Sequence, residues 1–112
     1  MDFKITYRHM ESSPEIEAAI KRDMAKILKF LENEPTPVFV NLTITPGKLH
    51  AHNEVELQVK SPHYDLFGKE EEPNFFVALG KVTDTMYKRL EAAKRKTVDG
   101  HKEKNRMYKG SE

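Results

Sequence analysis

Residues 38–60 read VFVNLTITPGKLHAHNEVELQVK, and this stretch decides the fold. The run from Val38 to Thr45 is dense in β-branched and aromatic residues, which suit a pleated, half-buried surface, so it reads as a strand. Pro46-Gly47 breaks it. From Glu54 to Lys60, Val55, Leu57 and Val59 alternate with polar residues and place one apolar face on a further strand. Upstream, Phe3, Ile5 and Tyr7 alternate with Lys4 and Thr6, the pattern of a first strand.

Between these strands the period changes. Ser13-Pro14 reads as a helix start, with the serine hydroxyl able to cap free amides and proline suited to the first turn. Ile16, Ile20, Met24, Ile27 and Leu31 then recur at helical spacing, up to an end near Glu32 and the turn-rich Asn33-Glu34-Pro35-Thr36-Pro37. After the turn Ser61-Pro62-His63, Tyr64–Lys69 reads as a fourth strand. Gly68 weakens it, and Glu70-Glu71-Glu72 is expected to solvate the approach to the last helix and favour its dipole. Asn74 caps that helix, whose stripe is Phe76, Leu79, Val82, Met86, Leu90 and Ala93. Its end is expected around Val98-Asp99-Gly100.

The order β-α-β-β-β-α predicts an α+β two-layer sandwich, two helices packed on one face of a four-stranded sheet. The other face is left to solvent or a partner. Residues 1–98 are expected to form one α+β domain, and 99–112 a flexible basic tail.

A chain of 112 residues holds one modest core, and 33% charged residues imply a heavily solvated surface. No window is apolar enough for a membrane span or a signal peptide, so a cytoplasmic location is expected. Cysteine is absent, which excludes disulfide and thiolate chemistry. The net charge of +1 conceals an asymmetry: residues 1–80 carry nine Lys/Arg against thirteen Asp/Glu, and residues 81–112 carry ten against five. A basic end of this kind points to a polyanion, although an ordinary soluble helix and tail would look the same by charge alone.

Arrangement narrows the choice. At 100° per residue from Leu79, Lys81, Lys88 and Arg95 lie at about 200°, 180° and 160°, a row opposite the apolar stripe. Arg89 and Lys96 lie nearer one edge, Lys94 nearer the other. Arg22, Lys26 and Lys29 form a second row on the first helix. From 85 to 98 the only acid is Glu91, whereas a helix selected for solubility mixes both signs. Helices lying side by side would merge the rows into one phosphate-binding surface.

Other chemistry finds little support. His50 and His52, with Glu54, resemble half of a metal site but lack further ligands, so no metal is expected. No nucleophile–base arrangement, glycine-rich phosphate loop or nucleotide fingerprint appears, so neither catalysis, a cofactor nor a small-molecule substrate is expected.

From residue 3 to residue 96 the sequence resembles the short ribosome hibernation promoting factors and the related ribosome-associated inhibitor. Ile5-Thr6 with Arg8, then Ser13 to Leu31, is similar to that family's opening strand and helix. KLHAHNEVELQVK (48–60) is similar to its third strand. NFFVAL (74–79), followed by Asp84, Lys88, Leu90 and Lys94, is similar to the start and course of its last helix. Gly80 and Asn74 depart from the pattern, both standing where the family usually has an acid; Gly80 is expected to allow close helix–sheet packing.

The resemblance implies a stress or stationary-phase protein that occupies the decoding channel of the small ribosomal subunit, overlaps the messenger and transfer RNA sites, and silences translation. Arg8, Arg22, Lys26, Lys29, Lys81, Lys88, Arg89, Lys94 and Arg95 are the expected contacts to ribosomal RNA. The partner is then the small subunit, with no membrane, and the free protein is expected to be a monomer. Long relatives carry a C-terminal dimerisation domain not seen here, so any pairing of ribosomes is expected to need other factors. Two other readings stay open: a double-stranded RNA-binding module, and a protein-interaction (transcription modulator) domain that uses the open sheet face.

Overall fold

The computed structural model of the chain describes residues 1–47 and 52–107, with side chains described through residue 96. The elements are β1 (Asp2–Tyr7), α1 (Pro14–Leu31), β2 (Phe39–Thr45), β3 (Asn53–Lys60), β4 (Asp65–Glu72) and α2 (Phe75–Met107). The strands form one sheet in the order β1-β2-β3-β4. β1 runs parallel to β2, and this pairing requires the α1 crossover; the other neighbours are antiparallel.

Register decides which face is buried. Val40, Leu42 and Ile44 pair with Val59, Leu57 and Val55, and Phe3, Ile5 and Tyr7 lie beside them on β1. The helices cover this face with Ile20, Met24, Ile27 and Leu31 from α1 and Leu79, Val82, Met86 and Leu90 from α2. The expected two-layer α+β arrangement is the one observed. α1 begins as the sequence implies: the Ser13 hydroxyl accepts from the Ile16 amide at 3.2 Å, and Pro14 occupies the first turn. At α2 the Asn74 side chain accepts from the Phe76 amide at 2.8 Å. Among the described residues, no helix is long and apolar enough to cross a membrane.

Three local expectations are corrected. β4 does not stop at Lys69, because pairing with β3 carries it to Glu72, with Glu70 opposite Val55 and Glu71 opposite Glu54. The acidic run is thus strand, with Glu71 paired to Lys69 at 3.4 Å and Glu72 to Lys81 at 2.6 Å. α2 does not end near Gly100 but continues to Met107; one glycine costs only about 1 kcal/mol, and Lys, Glu and Arg beyond it favour helix. The expected basic tail therefore has a helical backbone as far as Met107, and residues 108–112 lie outside the described residues. Finally, Gly80 does not serve helix–sheet contact. A Cβ there would meet only Asp23 Oδ2, at 4.0 Å, in the seam between the helices. Gly68 is the close-packing glycine, since a Cβ on it would lie 3.4 Å from Val82 Cγ2.

One polar cluster ties the turns together. Glu34, its side chain 9% exposed, accepts from the Ser61 hydroxyl at 2.8 Å and from the His63 amide at 3.0 Å, and lies 3.0 Å from His63 Nδ1. Burial alone would raise its pKa, but the bonds from Ser61 and His63 outweigh this and hold the carboxyl below its ordinary value. A depressed carboxylate contributes stability that is fully present above its unfolded value, about 4.3, and is lost as pH falls through the folded value. Replacing Glu34 with Ala is expected to cost about 1–3 kcal/mol at pH 7 and to lessen the fall in stability below about pH 4. Urea unfolding at pH 7 and pH 3.5 checks both; an unchanged pH profile would refute the assignment.

Candidate nucleic-acid interface

The apolar stripes fix the outward faces of the helices, so the cationic rows follow from the packing. Contacts across the seam advance together along both helices: Lys26 Nζ lies 3.2 Å from Asp84 Oδ1 and 5.1 Å from the Tyr87 ring centre. Further on, Lys94 Nζ lies 5.6 Å from the centre of the Phe30 ring, which is edge-on to Tyr87 at 6.2 Å. The helices therefore run parallel and side by side, with their exposed sides continuous.

Asp84 sits at the centre. Its second oxygen lies 3.1 Å from Lys88 Nζ, so one carboxylate joins a cation from each helix. Lys88 first, then Lys26, hold the Asp84 carboxyl below its ordinary value. Arg22 Nε donates to Asp23 at 2.9 Å. Beside them, Arg22, Asp23, Ala25, Lys26, Gly80, Thr83 and Asp84 line a shallow groove between the helices.

The nine predicted cations divide by position. Arg22, Lys26, Lys29, Lys88, Lys94 and Arg95 are exposed on the adjoining helices; Lys26 and Lys94 reach across the seam, and Lys88 shares Asp84 with Lys26. Lys81 is displaced toward the β4 end of the sheet by Glu72, which also raises its pKa. Arg89 turns to the sheet edge, donating from Nη1 to the Phe67 carbonyl at 2.6 Å. Arg8 is separate: it follows β1, exposed, with its amide bonded to the Ile44 carbonyl. His50 falls outside the described residues.

Neutralisation is partial. Arg22, Lys26, Lys81 and Lys88 share three carboxylates, while Lys29, Arg89, Lys94 and Arg95 have no carboxylate partner among the described residues. Exposed ion pairs are worth about 0–1 kcal/mol, so a phosphate can displace such a carboxylate at little cost. The surface remains net cationic. Periodicity missed the contributions of Asp84, Asp23, Phe30 and Tyr87. The i,i+4 spacing of Asp84 and Lys88 signals one contact; the partnership with Lys26, remote in sequence, has no local signal.

These features define a class: an α+β fold whose two adjoining helices carry exposed cations on their outward sides. The chain belongs to the family described as sigma 54 modulation protein / S30EA ribosomal protein, whose model matches residues 3–98. The resemblance drawn from residues 3–96 is to this same family. Among solved structures, the Protein Y N-terminal domain of Thermus thermophilus is similar, with a TM-score of 0.63 and 16% identity over 82% of this chain and 98% of that one. A ribosomal subunit interface protein from Coxiella burnetii has a TM-score of 0.59 and 13% identity over 85% of this chain and 99% of that one. At these identities the likeness concerns the fold. No curated protein matches the sequence.

Proposed function

We propose that this chain is a non-catalytic translation inhibitor that occupies the decoding channel of the small ribosomal subunit under stress or in stationary phase, excluding messenger and transfer RNA. The observation that carries this reading is the joining of two parallel helices, cations outward, into one face with Lys26 and Lys88 held on a shared carboxylate. Membership of a ribosomal protein family supports the ribosome as partner. Affinity comes from Lys/Arg–phosphate contacts and fit from shape, with no base reading required. Lys29, Lys88, Lys94 and Arg95 carry the largest share, Arg22 and Lys26 assist, and Lys81, Arg89 and Arg8 contribute at the margins. The protein acts in the cytoplasm, where ribosomes work.

The test is charge reversal on the outer row. Lys88→Glu with Arg95→Glu removes two charge-assisted contacts of about 1.5 kcal/mol each, so affinity for small subunits is expected to fall at least about a hundredfold. Circular dichroism should be unchanged and melting should fall only slightly, because both residues are exposed and an exposed pair such as Lys88–Asp84 is worth about 0–1 kcal/mol. Wild-type co-sedimentation by the double variant would sink the proposal. Tighter binding to free RNA duplex than to intact subunits would favour the duplex-binding reading instead.

A further inference from the structure

Gly80 is a costly residue without a structural reason for being there. It lies inside α2, where alanine would favour the helix, and a methyl group in its place would touch nothing closer than Asp23 Oδ2 at 4.0 Å. Packing does not demand glycine, and helix propensity opposes it. What glycine achieves is an open floor in the seam, with Thr83 and Ala25 as its small neighbours. The buried Thr83 hydroxyl is already committed to the Leu79 and Gly80 carbonyls, at 2.9 and 3.1 Å. The walls carry paired opposite charges: Arg22 with Asp23, and Lys26 with Asp84.

We propose that this groove is a seat for one sugar–phosphate unit of RNA, entered over Gly80, with the phosphate on Arg22 and Lys26 and the ribose 2′-hydroxyl donating to Asp84 or Asp23. A purely cationic groove would suit a bare phosphate. Adjacent cations and carboxylates suit a phosphate beside a hydroxyl donor, and that hydroxyl distinguishes RNA from DNA. The inference rests on the proposed ribosomal-RNA reading and assigns a particular contact within it.

The experiment uses the full chain with Gly80→Ala and Gly80→Gln, purified small ribosomal subunits, and single-stranded RNA and DNA of one sequence as competitors. Both substitutions are expected to raise the melting temperature by a few degrees, since they improve helix propensity at an open site. Gly80→Gln should nevertheless lose about tenfold or more in affinity for subunits, with Gly80→Ala intermediate. For the unsubstituted chain, RNA should compete better than DNA, and Gly80→Gln should erase that preference. Wild-type affinity in a well-folded Gly80→Gln variant would overturn the inference, as would equal competition by RNA and DNA. Failure of the groove alone leaves the Lys88/Arg95 reversal damaging; failure of the ribosomal reading leaves that reversal harmless as well.

Discussion

Raising monovalent salt from 50 to 200 mM is expected to weaken binding to the small subunit about a thousandfold. Each phosphate contact releases condensed counterions, so affinity falls as a power of salt concentration, and about six contacts suffice for three decades. Six predicted cations lie exposed on the adjoining helices: Arg22, Lys26, Lys29, Lys88, Lys94 and Arg95. The carboxylates already bound to some of them do not change the direction. Salt weakens those exposed pairs too, but they are individually worth little, whereas phosphates lie densely along RNA. Equilibrium sedimentation or fluorescence titration across a salt series measures the slope directly. A shallow slope would show that apolar burial drives association, and would favour a partner on the open sheet face, where Phe39 and Phe67 are 43% and 52% exposed.

The second large effect concerns stability. Leu57→Ala is expected to cost about 3–5 kcal/mol, a large part of the roughly 5–15 kcal/mol available to a domain of this size. Leu57 is fully buried at the centre of β3, between Leu42 on β2 and Gly68 on β4. With glycine on one flank, β4 has no side chain to lean into the void, so the upper part of the usual range applies. In urea the midpoint should fall with an unchanged slope, because the surface exposed on unfolding stays nearly the same. A loss under about 1 kcal/mol would mean that the centre of the core lies elsewhere.

Sequence and structure agree at most of the strong local signals. Alternation at Val55, Leu57 and Val59, the Ser13 and Asn74 caps, and the helical stripes are each readable within a few residues, and together they dictate two layers. Where the two part, a partner distant in the chain has decided, except in α2, which local helix propensity carries past Gly100. Glutamate is a poor strand former, yet Glu70, Glu71 and Glu72 extend β4 because Val55, Glu54 and Asn53 offer backbone partners. The angular positions of Lys88 and Arg95 were legible, as was the separation of Arg89 and Lys94 to opposite edges of α2. What each edge meets was not. Lys94 finds Phe30, Arg89 finds a carbonyl of β4, and Lys26 finds Asp84 across the seam. Gly80 shows the same limit from the other side: a glycine within a helical pattern suggests close packing, yet a Cβ there would meet only Asp23 Oδ2 at 4.0 Å.

The bond from Arg89 to Phe67 bears on self-association. The Ser61 amide bonds to the Tyr64 carbonyl at 2.8 Å, which sets the phase of the β3–β4 ladder and leaves Phe67 pointing its backbone away from β3, along an unzipped rim. Rims of this kind recruit foreign strands and seed aggregates. By occupying that acceptor, Arg89 denies a newcomer its first rung. A cation at the margin of the helix face thereby becomes a guard on the border of the sheet.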